Sequence, residues 1–108
     1  MAHYLIQVSY TAAAWAAFLK NPQDRSKTVQ GVIEELGGKI EGFWMAFGES
    51  DLVAVVQMPD NISAAAFAMA ASAGGACKSI KTTPLMAMAD CVAAMKKAAA
   101  SSYRPPSA

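Results

Sequence analysis

Between Gly38 and Met58 the chain reads GKIEGFWMAFGESDLVAVVQM, and this stretch limits the fold more than any other. Two runs rich in β-branched, aromatic and other apolar residues flank a short polar turn containing Gly48, which is the signature of a β-hairpin. The second run, Leu52–Met58, is apolar at nearly every position instead of at alternate ones. Such a strand is normally covered on both faces. The rest of the chain therefore has to supply, or recruit, two covering layers.

The 108 residues suffice for one domain with a modest core. Nine basic residues stand against eight acidic ones, with no basic run or patch. Nucleic acid is therefore not an expected partner. Much of the apolar content is alanine, and no 18-residue apolar run is free of polar breaks, so no membrane span is expected. The N-terminus enters a strand-like run without the basic region of a signal peptide. Cys77 and Cys91, in a chain without an export signal, are expected to be reduced, and the cytoplasm is the expected compartment.

In chain order, residues 3–9 read as a first strand, with Tyr4, Ile6 and Val8 on one face and His3, Leu5, Gln7 and Ser9 on the other. Thr11 suits the N-cap of a short helix whose apolar stripe is Trp15, Phe18 and Leu19. Asn21-Pro22 interrupts that helix and is expected to start another, with Asn21 capping and Pro22 in the first turn. Val29, Val32, Ile33 and Leu36 form its buried stripe, and Gly37 stops it. After the hairpin, Pro59-Asp60-Asn61 opens a helix over 61–73 whose face is mostly alanine, with Phe67 and Met69 as bulky members. Gly74-Gly75 ends it. Residues 77–83 read as a fourth strand, whose pairing Pro84 should limit, and 87–100 as a last helix with Met88, Cys91, Val92 and Met95 on one side. Residues 1–100 thus form a single domain. Residues 101–108, polar and containing Pro105-Pro106, form a flexible tail.

The order is β-α-β-β-α-β plus a C-terminal helix, the split βαβ or ferredoxin-like α+β arrangement. Both crossover helices land on one face of a four-stranded antiparallel sheet. In the second strand Phe43, Met45 and Phe47 are expected to oppose Ile40, Trp44 and Ala46. In the third, Leu52, Ala54 and Val56 oppose Val53 and Val55. Helices can cover only one of these faces, and the other would expose a large apolar patch. A sheet-to-sheet homodimer, the dimeric α+β barrel, or a higher oligomer built on it would cover both.

These residues carry a resemblance. Leu36-Gly37-Gly38-Lys39-Ile40, Gly42-Phe43-Trp44, Phe47-Gly48-Glu49-Ser50-Asp51-Leu52-Val53, Pro59-Asp60-Asn61 and Ile80-Lys81-Thr82-Thr83-Pro84 together resemble the GYD domain family, over about residues 4–95. Ser50 stands where that family's label has Tyr. The resemblance implies a dimeric α+β barrel-like fold and no defined common activity. It extends to the effector domain of leucine-responsive-type regulators, which implies small ligands held between subunits near the turn after the second strand.

Chemistry-bearing side chains are sparse. Gly48 and Asp51 bracket the turn. The structural reading gives Gly48 a backbone geometry that other residues resist and lets Asp51 bond turn amides. The functional reading puts Asp51 at the mouth of an interface pocket, as a base or as a partner for a cation. Ser50 then joins Asp51 at the rim, with Trp44 or Phe47 in the wall. Tyr10, Trp15 and Trp44 are candidates for a hydrophobic cleft. On the fourth strand Lys81 and Thr83 share a face. A lysine directed into a barrel binds a carboxylate, whereas one at a sheet edge blocks edge pairing. His3, the single histidine, cannot supply a multi-ligand metal site. A lone axial haem ligand or a general base are its functional readings, and a solvated strand start its structural one. No metal site is expected, and the sequence specifies no cofactor. No nucleophilic triad, P-loop or dinucleotide fingerprint is present.

The expectation is thus an oligomeric small-molecule-binding or structural module with an intersubunit pocket. The alternative is a cofactor-independent dimeric-barrel enzyme, of monooxygenase or isomerase type, acting on a hydrophobic substrate.

Overall fold

A computed structural model describes residues 1–107. Its elements are β1 (Ala2–Tyr10), α1 (Ala12–Lys20), α2 (Ser26–Glu35), β2 (Lys39–Met45), β3 (Leu52–Met58), α3 (Asn61–Ala73), β4 (Cys77–Leu85) and α4 (Met88–Ala99). The four strands form one antiparallel sheet in the order β2-β3-β1-β4. An α+β chain of this order is compatible with a ferredoxin-like fold.

The helix boundaries follow local chemistry. Thr11 caps α1, its Oγ1 accepting from the Ala14 N–H at 3.1 Å. Asp60 caps α3 by accepting from the Ser63 N–H at 2.8 Å. Leu36 to Gly38 close α2 with a Schellman motif. Gly37 adopts φ +84°, its N–H bonds Glu34 O, and the Gly38 N–H bonds Ile33 O. Gly38 also lies so close to Met58 and the Gln57 carbonyl that a side chain there would collide with them.

The start of α2 departs from expectation. Asn21 is not its cap and Pro22 is not in its first turn, because the helix begins at Ser26. Residues 21–25 are a connection instead, and the Asp24 carboxylate accepts from the Ser26 N–H at 2.8 Å. Proline tolerates a loop as well as a first turn, so Asn21-Pro22 marks the break without fixing where the next helix starts. Pro84 does not end β4 either. It pairs with Tyr4, and β4 is an edge strand, where a missing N–H is tolerated.

The core lies under α2 and α3. Tyr4, Ile6 and Val8 of β1, Leu52, Ala54, Val56 and Met58 of β3, Ile33 of α2, and Ala64 and Phe67 of α3 are all buried. The Tyr4 hydroxyl donates to Asn61 Oδ1, tying β1 to the start of α3.

Among the described residues no layer covers the opposite face of the sheet. Its residues fall into three rows across the strands: Lys39, Gln57, His3 and Leu85; then Gly42, Val55, Leu5 and Thr83; then Trp44, Val53, Gln7 and Lys81. Trp44 is 57% exposed, and its indole lies over Gly42, where an added Cβ would overlap the ring. A register shift between Ile40 and Gly42 corrects one expectation. The irregularity places Ile40 opposite Val56 on the helix side with Phe43, not with Trp44.

α4 projects from this body. None of its residues is buried, and Met88, Val92 and Met95 are exposed. The radius of gyration is 17.6 Å, against about 13 Å for a compact chain of this length. Residues 101–107 are exposed and lack regular secondary structure; Ala108, the last of the expected tail, lies outside the described residues.

Candidate functional site

Where β1 ends and β3 begins, the chain builds a recess around Asp51. The connection between β2 and β3 spans residues 46–51, longer than the expected turn because β2 stops at Met45. Its ends are pinned by the Ala46 N–H to Asp51 O and by the Asp51 N–H to Val8 O, both at 2.8 Å. The Ser9 hydroxyl donates to Glu49 O at 3.0 Å. A loop of this length reverses direction without a left-handed residue. Gly48 accordingly has no positive φ, and an added Cβ there would meet open space, so the special geometry expected of it is absent.

The turn chemistry predicts that Asp51 bonds turn amides, but its carboxylate does not. Its Oδ2 accepts from the Tyr10 N–H at 2.8 Å and from the Trp15 Nε1–H at 3.4 Å. Asp51 thus joins the hairpin to the end of β1 and to α1. Its Oδ1 carries no hydrogen bond among the described residues.

Around this carboxylate Tyr10, Trp15 and Phe18 pack edge to face in a closed triangle. Their ring centroids are 5.8 Å, 5.1 Å and 5.9 Å apart, at 85°, 84° and 88°. With Pro22, Phe43 and Met45 they wall a recess of about 500 Å³ that reaches Asp51. Leu19 does not pack into the core as its stripe suggested. It is exposed and lines the recess. Burial pushes the Tyr10 hydroxyl above its usual range, and the neighbouring Cys77 and Asp51 add to that push against the lowering effect of Arg25.

The structure separates the other candidates. Ser50, in the turn beside Asp51, is half-buried. Phe47, at the loop tip, is 94% exposed and belongs to no strand face. Trp44, Lys81 and Thr83 lie on the open sheet face, away from the aromatic triangle. Trp44 and Lys81 share a row but are three strand spacings apart, about 14 Å. A single chain therefore brings Asp51 to Tyr10 and Trp15 but not to Trp44. Phe18, Phe43 and Met45 were not grouped with Asp51 from the sequence. Phe18 lies one helical turn after Trp15, and that spacing was the available signal.

His3 Nε2 lies 3.1 Å from Glu41 Oε1, and Gln57 Nε2 donates to the same oxygen. The Gln57 bond is the main reason the Glu41 carboxyl is held below its usual range, and the His3 contact adds to it. Neither cysteine is in a disulfide. Cys77 begins β4, where burial raises its thiol above the usual range, and Cys91 lies on α4. Among the described residues no group of three His, Cys, Asp or Glu side chains is placed to hold a metal ion, and no helix is long and apolar enough to cross a membrane.

The family model of the GYD domain matches residues 4–95, which include the sheet apart from the first two residues of β1, and the recess. No curated protein and no solved structure is similar enough to match the chain.

Proposed function

Since the chain belongs to the GYD domain family, we propose that it is a self-associating module that binds a small, largely apolar molecule at the Asp51 recess, closed by a second subunit. The observation that carries this reading is the free Oδ1 of Asp51 at an aromatic-walled recess. A small-molecule site is typically apolar with a few placed polar groups, and this recess has that composition. Oδ1 accepts a hydrogen bond from a ligand hydroxyl or amine, while the rings pack against its apolar part.

Self-association is supported by three exposed apolar features on one chain: the open sheet face with Trp44, the loop tip Phe47, and the α4 stripe of Met88, Val92 and Met95. A two-fold interface is self-complementary, so a second copy would bring an identical apolar face against the open sheet. Met45 and Leu19, exposed on the recess lining at the helix side of the sheet, are a further apolar contact for the copy that closes the pocket.

A thermal-shift screen of amino acids, small carboxylates and aromatic metabolites tests the binding reading. A ligand at a hundredfold excess over its dissociation constant stabilises the folded protein by about 2.7 kcal/mol. Asp51→Asn keeps one oxygen to accept from Tyr10 and Trp15 but turns an amide NH₂ toward the ligand donor, so it should remove the shift. If Asp51→Asn sharply lowers the unliganded melting point and no compound shifts either protein, Asp51 is a structural tie only. The same free oxygen favours a second reading, a cofactor-independent enzyme in which Asp51 takes a proton from a hydrophobic substrate. Turnover of a shifting compound, lost in Asp51→Asn with binding retained, would select it.

A further inference from the structure

On the helix side of the sheet a second cavity, of about 270 Å³, opens between α2 and α3. Ile6, Val8 and Val56 form its floor, and Ile33, Phe67 and Ala71 its walls. The sequence explains the space. α3 carries alanine at most of its positions, and alanines 70 and 71 do not fill the gap that larger residues would close.

Among the described residues Arg25 is the only charged side chain in the cavity lining. It has no ion-pair partner among the described residues. Its neighbour Asp24 is engaged with the Ser26 N–H instead, and the guanidinium stands 6.0 Å above the Phe18 ring. A half-buried cation beside apolar surface is poorly solvated, and a carboxylate is the partner whose planar geometry matches its fork. The remaining polar lining is neutral. Burial holds the Cys77 thiol and the Tyr10 hydroxyl above their usual ranges, so neither opposes an incoming anion near neutral pH.

We propose that this cavity binds a small monocarboxylate with an aliphatic tail, the tail between α2 and α3 and the carboxylate on Arg25. A cavity of about 270 Å³ has room for a medium-length aliphatic chain such as that of octanoate. This site is separate from the Asp51 recess, although Tyr10, Arg25 and Leu52 line both.

Calorimetric titration of the full chain with octanoate, and with octan-1-ol as the uncharged control, tests the proposal. Octanoate should bind at one per chain and at least tenfold more tightly than the alcohol. Arg25→Gln, at a position outside the core, should weaken octanoate at least tenfold and leave the alcohol unchanged, with Arg25→Lys in between. Ala71→Phe should remove both by filling the cavity, and Asp51→Asn should leave octanoate binding unchanged. The proposal is overturned if octanoate does not bind the wild type or binds Arg25→Gln equally well. It is also overturned if Asp51→Asn abolishes octanoate binding, which would place the ligand in the other recess.

Discussion

The two faces of the sheet are made by the same strands, yet only one of them is closed by the chain's own helices. β3 shows the contrast within seven residues. Leu52, Ala54, Val56 and Met58 are buried, while Val53, Val55 and Gln57 between them are half-buried. Val53 and Val55 are at least as apolar as the buried Ala54 and Val56, so hydropathy and burial disagree on one face and agree on the other. On β1, Leu5 stands to Tyr4 and Ile6 as Val55 does to Ala54 and Val56. The difference teaches that strand composition reports the surroundings in which the strand finally sits. The chain's own helices cover only one side, and the proposed second copy would cover the other.

Charge placed on each face gives the largest test of the comparison. Val56→Asp puts a carboxylate at a position that is 0% exposed, with no partner, and should cost about 4 kcal/mol or more. Denaturant melts would show it as a largely unfolded chain. Val55→Asp, one residue away on the open face, should leave the circular dichroism spectrum folded and act on the assembly instead. Size-exclusion chromatography with light scattering should find that variant as a monomer. If both variants unfold equally, the two faces do not differ as described.

Smaller effects sharpen the picture at the sheet ends. Thr11→Ala removes the cap of α1, the helix that carries Trp15 and Phe18, and should cost about 1 kcal/mol in chemical denaturation. The smallest effect expected is in acid. The Asp60 carboxyl, on the helix-covered side, is held below its ordinary 3.8, mainly by the Ser63 N–H. That of Glu41, at the edge of the open face, is held below its ordinary 4.5, mainly by Gln57. A lowered carboxyl contributes stability that is present above its unfolded value and lost as pH falls through its folded value. The melting temperature should therefore decline slightly as pH drops below about 4, and Asp60→Asn should remove part of that decline.

Most of the fold was legible because local signals agree with tertiary ones. Tyr4, Ile6 and Val8 fall at alternate positions, Val29 to Leu36 follow helical spacing, and Gly37 and Asp60 mark helix ends with definite bonding chemistry. The register shift beside Gly42 was not legible, because a bulge depends on how partner strands meet, and it moved Ile40 to the other face. Asn21-Pro22 does not fix the start of α2 at Ser26, because it suits a loop as well as a cap. The site was only partly legible. Asp51 stood out by its place beside the turn, but its partners Tyr10 and Trp15 are 41 and 36 residues away in sequence, and no local pattern reports such contacts.

The proposed closure of the open face by a second copy is tested most directly by sedimentation equilibrium of the wild-type chain across the micromolar range. The account predicts a mass of twice 11.3 kDa or a higher multiple of it. A single species at 11.3 kDa over the whole range would contradict it.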